Sequence, residues 1–299
     1  MLYGIVDIGS NTVRLNIYDI INQEVRFLLS KKYALGLVSY IKKGKLTKKG
    51  LEKLNNVLED IKTDLSDLNV QEFNMFATAS IRNIYNEKEV LDEIYNKLNI
   101  RIDVLSETQE ATYSFLGSTS IMNHKKGVLI DVGGGSSEVV IYKNNKIKQS
   151  YSLPIGSLTM FNDYVSLLIP TEEESQAIID RVQYEISRAK IPQENHKYMC
   201  GVGGSVRAIH KLLKDLKLIG RKEKIINPRV FKLLREEIVN NDKETYNKLL
   251  EAKPARIHTM MPGLLIIQEL CNYFNIEEMQ VSKFGVREGY LNHKLAKVN

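Results

Sequence analysis

Two stretches of this chain repeat one pattern of residue types that suits phosphate chemistry. Asp7-Ile-Gly-Ser-Asn-Thr-Val-Arg-Leu-Asn-Ile-Tyr18 matches Asp131-Val-Gly-Gly-Gly-Ser-Ser-Glu-Val-Val-Ile-Tyr142 in register. Each copy has an acid, a glycine-containing loop, a small hydroxyl residue and flanking apolar runs. Such a loop between two strands exposes backbone N–H groups that bind anions, next to a carboxylate that can hold a cation. The repeat therefore predicts two β-hairpins that clamp a phosphate chain from both sides of an interdomain cleft.

A third glycine loop, Gly201-Val-Gly-Gly-Ser205, follows an apolar run and opens into a predicted helix. The N–H groups and the macrodipole at a helix N-terminus attract anions. One such loop alone is usually an ordinary turn, whereas three of them, two in internal register, favour phosphate binding. We refer to residues 9–12, 133–137 and 203–205 as the first, second and third loops. The phosphate-binding residues predicted from them are Gly9, Ser10, Asn11, Thr12, Gly133, Gly134, Gly135, Ser136, Ser137, Gly203, Gly204 and Ser205.

The elements that must position these loops alternate between strands and helices in both halves of the chain. The predicted strands cover residues 2–7, 12–19, 24–34, 72–77, 101–105, 127–142 (interrupted by the second loop), 146–153, 197–202 and 279–283. The predicted helices cover 47–68, 86–98, 107–118, 171–189, 205–214, 228–240, 245–251, 263–275 and 287–297. This alternation predicts an α/β fold with two domains, residues 1–122 and 123–299. The boundary is placed in the polar segment after Met122, and packing of the last helix on the first domain is left open.

Composition narrows the classes of function. The 299 residues carry a net charge of +6, which favours polyanionic ligands. Nucleic acid is not expected, because the chain has no Trp and no alternation of basic and aromatic residues. Cys200 and Cys271 have no disulfide or metal-ligand spacing, so both are expected to be buried packing residues in a cytoplasmic protein. No signal peptide or membrane span is expected, since the chain shows neither a leader pattern nor a run of 18 apolar residues.

Six segments in this order resemble the motifs of the exopolyphosphatase / guanosine pentaphosphate phosphohydrolase family, over nearly the whole chain. They are Asp7-x-Gly-Ser-Asn-x-x-Arg-Leu, Ala77-Thr-Ala-Ser-x-Arg82, Val104-Leu-Ser-x-x-x-Glu110-Ala, Asp131-Val-Gly-Gly-Gly-Ser-x-Glu138, Gly201-x-Gly-Gly-Ser205 and Gly285-x-Arg287-Glu288-Gly289. That family belongs to the actin–Hsp70–sugar kinase superfold. The resemblance implies two ribonuclease-H-like (actin-like ATPase superfold) domains that face each other across a cleft.

The resemblance also implies roles for individual residues. Glu110 matches the catalytic carboxylate that activates water, although a Glu on a helix is more often a surface residue. Asp131 and Glu138 match positions that hold Mg²⁺ or another divalent cation, and Asp7 is the equivalent acid of the first loop. Arg82 matches a phosphate-binding arginine, with an ordinary helix-surface arginine as the alternative. Weaker candidates are Arg14, Arg256 and Arg287. One departure is Gln109, which stands where the family usually has the first of two adjacent Glu.

The implied activity is exopolyphosphatase, the Mg²⁺-dependent release of orthophosphate from the end of inorganic polyphosphate. The alternative substrate is guanosine pentaphosphate, which would be cut to the tetraphosphate. A kinase of the same superfold and a non-catalytic sensor of guanosine polyphosphates are less favoured, because the acids at positions 110, 131 and 138 are all present. The chain is expected to lack the extra C-terminal helical domain of longer family members, and a homodimer is compatible with the resemblance.

Overall fold

The structure is a computed structural model that describes residues 1–22, 24–239, 243–252 and 254–296. The last residue of each predicted helix at 228–240 and 287–297 lies outside the described residues. The chain divides by its internal contacts into two compact units, Met1–Ser106 and Glu107–Asn299. The boundary after Met122 stays a prediction, since a division by contacts does not test where the repeated domains begin.

The first unit is built on a five-stranded sheet with the order β3-β2-β1-β6-β7. Strands β1 to β3 are antiparallel, whereas β6 and β7 continue the sheet parallel to β1. The elements of this unit are β1 (Leu2–Ile8), β2 (Thr12–Ile21), β3 (Glu24–Ala34), β4 (Ile41–Lys42), β5 (Lys45–Leu46), α1 (Lys48–Asp67), β6 (Glu72–Ala77), α2 (Ala79–Arg82), α3 (Glu87–Leu98) and β7 (Ile102–Val104).

The second unit repeats this arrangement and adds to it. Its sheet has the order β10-β9-β8-β11-β13-β12, again with three antiparallel strands followed by parallel ones. The short strand β12 is antiparallel to β13 at the edge. The elements are α4 (Glu107–Ser118), β8 (Lys126–Val132), β9 (Ser137–Lys143), β10 (Lys146–Leu153), α5 (Ser157–Tyr164), α6 (Glu172–Arg188), β11 (Tyr198–Val202), α7 (Gly203–Asp215), β12 (Ile225–Ile226), α8 (Val230–Val239), α9 (Lys243–Ala252), α10 (Ile257–Tyr273), β13 (Glu278–Val281) and α11 (Val286–Leu295).

Each unit has its own core, and the helical periodicity of the sequence marks which faces build it. In α1 the buried side chains recur every three or four residues, at Leu51, Leu54, Leu58, Ile61 and Leu65. The hydroxyl of Thr47 caps this helix by accepting a hydrogen bond from the Gly50 N–H at 3.2 Å. Full burial of one such leucine contributes about 1.5–3 kcal/mol. Both units combine a mixed sheet with helices, so the predicted α/β fold class is confirmed.

The start of helix α10 differs from the prediction, and the short helices α2 and α5 were not predicted. Helix α10 begins at Ile257 rather than at residue 263, with Pro262 inside it, so the predicted start was wrong. An interior proline costs a helix about 3 kcal/mol. Burial along most of α10 offsets that cost, because the helix lies inside the second core. Helix α5 was not predicted, since its eight residues are too few to show a clear period.

Helices α4 and α11 pack at very close range through two glycines. A Cβ atom on Gly117 would overlap the carbonyl oxygen of Gly285, and one on Gly289 would overlap the carbonyl oxygen of Tyr113. Close backbone approach of this kind requires glycine at both positions. The motif Gly285-x-Arg287-Glu288-Gly289 therefore has a packing role: it seats the last helix on α4.

Both cysteines are buried and free, as predicted. Burial, helped by the nearby charge of Asp131, raises the pKa of the Cys200 thiol to about 12. Burial also raises the pKa of the Cys271 thiol well above its usual value. Within the described residues, no helix combines the length and the apolar character needed to cross a bilayer.

We expect neither thiol to react with a disulfide reagent in the native protein, since a thiol buried with a raised pKa is a poor nucleophile. Both should react once the chain is unfolded. The measurement is the release of the coloured thiolate at pH 8, with and without denaturant. One rapidly reacting equivalent in the native protein would contradict the burial of these residues.

Candidate functional site

The second loop joins the ends of two central strands. It is closed by a hydrogen bond of 3.0 Å from the Gly133 N–H to the Ser136 carbonyl oxygen. Asp131 in β8 lies directly opposite Glu138 in β9, so both side chains project from the same face of the sheet. Their exposed fractions are 9% and 2%. The loop is therefore flanked by two buried carboxylates, which we call the acid pair.

The N-terminus of helix α5 binds the carbonyl groups of the second loop. Its first three N–H groups donate to the carbonyl oxygens of Gly133 and Gly134, at 2.9 to 3.0 Å. Because a trans peptide points its N–H opposite to its C=O, the N–H groups of Gly134 and Gly135 face away from α5. Within the described residues neither of these two groups has an acceptor in the protein. The second loop thus directs two backbone donors away from α5, and phosphate binding by this loop stays a prediction.

The first loop is held in a related way. The Gly9 N–H donates to the Thr12 carbonyl oxygen at 3.1 Å, which corresponds to the closing bond of the second loop. The carbonyl oxygens of Ser10 and Asn11 accept hydrogen bonds from N–H groups of residues 35–38, just after β3. Both loops therefore turn carbonyl groups toward the segment that follows their third strand.

The two hairpins differ in the charge that faces the acid. Asp7 lies opposite Arg14 in the strand register, whereas Asp131 lies opposite Glu138. A positive side chain across from Asp7 compensates its charge without a metal ion. The second hairpin is therefore the stronger candidate for a cation, and the assignment of Asp7 as a ligand stays a prediction.

The third loop borders the acid pair. Gly203 has φ +98°, a conformation that glycine adopts freely, and a Cβ there would lie 2.7 Å from Asp131 Oδ1. A Cβ on Gly204 would overlap the guanidinium of Arg256. The third loop thus lies between a carboxylate and a cation, at the N-terminus of α7.

Arg256 was only a weak candidate in the sequence, and no pattern there marks its position. Its partly buried guanidinium is desolvated, and with some repulsion from Arg207 this lowers its pKa to about 10. The group stays charged at neutral pH and would gain from a bound anion. Together with the N-terminal N–H groups of α7, Arg256 is well suited to hold a phosphate.

Hydroxyl groups connect the loops to each other and to the core. The Ser205 hydroxyl donates to the Ser157 hydroxyl at 3.1 Å, and Ser157 donates to the Gly133 carbonyl oxygen at 3.1 Å. The Ser137 hydroxyl is buried and donates to the Ile155 carbonyl oxygen at 2.6 Å. The side chains of Ser137 and Ser205 thus build the loops, and direct phosphate binding by either residue stays a prediction.

Two further hydroxyls hold Glu138. Its Oε1 accepts hydrogen bonds from Ser136 at 2.8 Å and from Ser152 at 3.2 Å. Ser152 lies directly across from Glu138 in the pairing of β10 with β9. Sequence reasoning missed Ser152, because only the register of the third strand reveals it.

Glu110 lies near the N-terminal end of α4, in the same compact unit as the acid pair. Its exposed fraction is 7%, far from that of a surface helix carboxylate. One helical turn later, the Ser114 hydroxyl donates to Asp131 Oδ2 at 2.7 Å. Residues four apart share a helix face, so Glu110 lies on the face of α4 that contacts Asp131. The structure therefore places Glu110 one helical turn from the side chain that contacts the acid pair, and its role as the base stays a prediction.

Arg82 lies at the end of the short helix α2 in the first unit, partly buried. Its Nη1 donates to the Leu105 carbonyl oxygen at 2.9 Å, just before α4 begins. This contact holds the arginine to the segment that leads into α4. Its role in phosphate binding stays a prediction.

The acid pair offers two carboxylates, which are the ligand type that divalent cations bind. Mg²⁺ in phosphate-handling proteins is typically bound by one or two carboxylates, with waters and substrate phosphates in its other positions. Like charges directly opposite each other destabilise a sheet, and a cation between them would remove that cost. Among the described residues no group of three or more His, Cys, Asp or Glu side chains could hold a metal. Two carboxylates are a number that Mg²⁺ commonly takes from a protein when waters and phosphates complete its shell, and cation binding by Asp131 and Glu138 stays a prediction.

The fold and these loops define a two-domain α/β protein of the actin-like ATPase fold. The sequence profile of the Ppx/GppA phosphatase family matches residues 17–298, so the chain belongs to this family. The crystal structure of an exopolyphosphatase from Cytophaga hutchinsonii superposes with a TM-score of 0.87 at 21% identity, covering 100% of this chain and 99% of that one. The family and the fold class inferred from sequence are confirmed.

The curated relatives of this chain include guanosine pyrophosphatases and exopolyphosphatases. A guanosine-5'-triphosphate,3'-diphosphate pyrophosphatase of Aeromonas salmonicida is 25% identical over 97% of this chain and 58% of its own length. Exopolyphosphatase 1 of Mycobacterium leprae is 24% identical over 99% of this chain and 90% of its own length. The chain thus spans little more than half of the first relative and most of the second.

Proposed function

We propose that this protein is an exopolyphosphatase that hydrolyses the terminal phosphoanhydride bond of inorganic polyphosphate and releases orthophosphate. The observation that carries the proposal is the contact of α4 with Asp131 through Ser114, because it places the buried Glu110 one helical turn from the side chain that binds a member of the acid pair. Family membership supports a phosphatase, and the exopolyphosphatase of M. leprae matches over 90% of its length.

In this proposal the N–H groups of the second loop and Arg256 bind the oxygens of the terminal phosphates. Glu110 accepts a proton from a water molecule whose oxygen attacks the terminal phosphorus. The bond from phosphorus to the bridging oxygen breaks, and the shortened chain leaves. A divalent cation held by Asp131 and Glu138 would neutralise charge on the phosphate oxygens.

The second candidate is hydrolysis of guanosine pentaphosphate to the tetraphosphate. It is supported by the A. salmonicida relative, whose printed name gives a guanosine substrate. The same residues would carry out the same bond cleavage, so the two candidates differ only in what binds beyond the terminal phosphates.

The test is phosphate release by the purified protein with Mg²⁺ from short polyphosphate, long polyphosphate, guanosine pentaphosphate and ATP. We expect release from polyphosphate, its loss on addition of EDTA, and a fall of about 10-fold or more in Glu138→Gln at fixed Mg²⁺. Because Glu138→Gln is purified in the same way, activity of equal size in both samples would indicate a contaminating phosphatase. Release from guanosine pentaphosphate alone would establish the second candidate instead. Release from none of the four substrates would refute both.

A further inference from the structure

Ser114 has no assigned role, yet it contacts the acid pair directly. It lies in the middle of α4 with an exposed fraction of 0%, and serine is a poorer helix former than alanine. A serine inside a helix often bonds back to the carbonyl oxygen one turn earlier. Here the hydroxyl instead donates to Asp131 Oδ2, at 2.7 Å. A hydrogen bond between a hydroxyl and a carboxylate at this distance is of the strong, charge-assisted kind.

The surroundings leave the Asp131 carboxylate little freedom to turn. Its Oδ1 faces Gly203, where a Cβ would come within 2.7 Å. Its Oδ2 is held by Ser114, and a Cβ on Gly285 would lie 3.8 Å from both Oδ2 and the Ser114 hydroxyl. Ser114 is thus the side chain of α4 that ties this helix to one member of the acid pair.

We propose that Ser114 is a positioning residue that orients Asp131 for the divalent cation and keeps that cation in register with Glu110 on the same helix. This rests on the proposed function of the site. A group that orients a metal ligand typically changes metal affinity or activity by 10- to 100-fold when it is removed. A serine that only stabilises the helix would change the melting temperature and leave cation binding alone.

The chain offers a matched control one turn further along α4. Ser118 also has an exposed fraction of 0%, and its hydroxyl donates to the Phe284 carbonyl oxygen at 3.1 Å. The Ser118 hydroxyl also accepts a hydrogen bond of 3.4 Å from the Ser282 hydroxyl, so Ser118→Ala removes a buried hydroxyl and its hydrogen bonds from the same helix without touching a carboxylate. Ser114→Cys keeps a donor at the same position, but a weaker one on a somewhat larger atom, and gives an intermediate variant.

The experiment measures Mn²⁺ binding to wild type, Ser114→Ala, Ser114→Cys and Ser118→Ala. Free Mn²⁺ is followed by electron paramagnetic resonance, with and without inorganic phosphate, and melting temperatures and phosphate release are recorded for the same samples. We expect Ser114→Ala to weaken Mn²⁺ binding about 10-fold or more, Ser114→Cys to weaken it less, and Ser118→Ala to bind like wild type.

Two results would overturn the positioning role although the wild type released phosphate. One is wild-type affinity for Mn²⁺ in Ser114→Ala, and the other is an equal loss of Mn²⁺ affinity in Ser118→Ala. If wild type neither binds Mn²⁺ nor releases phosphate, the proposed function fails and the role of Ser114 with it. If Ser114→Ala does not fold, the Mn²⁺ affinities of Ser114→Cys and Ser118→Ala are compared instead. Equal affinities in these two variants would overturn the positioning role.

Discussion

Glu110→Gln is expected to lower the rate of phosphate release by about 10²-fold or more while substrate binding is largely kept. Glutamine has nearly the shape of glutamate but cannot accept the proton of the attacking water. The loss should therefore appear in kcat, with KM little changed. Because Glu110 is buried beside the face of α4 that contacts Asp131, replacement by an uncharged side chain of the same size should not disturb the packing.

Glu107 provides the control for this experiment. It is an acid in the same first turn of α4, but its side chain is exposed. Glu107→Gln changes the net charge and the charge at the helix N-terminus just as Glu110→Gln does. The expected result is wild-type activity within about two-fold, since exposed charges at a helix end contribute about 0.3–1 kcal/mol to stability and take no part in the proton transfer.

Three measurements complete the test: initial rates over a range of substrate concentration, binding of a short polyphosphate by calorimetry, and melting temperature. Full activity in Glu110→Gln would remove this residue from the chemistry and leave the acid pair without its base. A similar loss in Glu107→Gln would mean that the charge of the helix end, and not proton acceptance, is what the reaction needs.

The repeated hairpins were predictable because they depend on local sequence. An acid followed by a glycine loop between two apolar runs specifies a strand, a turn and a strand, wherever the segment lies in the fold. The register match between residues 7–18 and 131–142 predicts two similar hairpins, and both are present, as β1 with β2 and as β8 with β9. The catalytic role of Glu110 was inferred only from the family resemblance, since a single Glu on a helix is usually an exposed surface residue.

The rest of the site could not be predicted, because it depends on contacts between segments distant in the chain. Ser114 in α4 lies 17 residues before Asp131 in β8, and Ser152 reaches Glu138 only through the pairing of β10 with β9. Arg256 precedes a helix whose start was mispredicted, so its approach to Gly204 left no pattern in the sequence. Serine and arginine are common residue types, so these residues are linked to the site only by their contacts in the folded protein.

Gly289→Ala is expected to destabilise the second unit and to reduce activity, although alanine is the better helix former. In a helix interior the change from glycine to alanine alone favours the folded state by about 1 kcal/mol. Here the new Cβ would overlap the backbone carbonyl oxygen of Tyr113, which cannot swing away as a side chain can. Overpacking of this kind costs about 1–3 kcal/mol and can cost more, so the clash outweighs the gain in propensity. In Gly117→Ala the new Cβ would overlap the carbonyl oxygen of Gly285 at the same interface, so this variant should be destabilised and less active as well.

Gly289→Ala should also affect activity, because α4 carries Glu110 and Ser114. If α11 is forced away from α4, Glu110 and Ser114 move relative to Asp131, and a misplacement of about 1 Å can cost about 10²-fold in rate. We therefore expect Gly289→Ala to lower the melting temperature and, at temperatures where it stays folded, to lower kcat as well. Asn292→Ala is the control, since Asn292 is exposed on the same helix and its replacement adds helix propensity without a clash. The test measures thermal unfolding and phosphate release of wild type, Gly289→Ala and Asn292→Ala. A Gly289→Ala protein as stable and as active as Asn292→Ala would show that α4 does not need this close approach to hold the site.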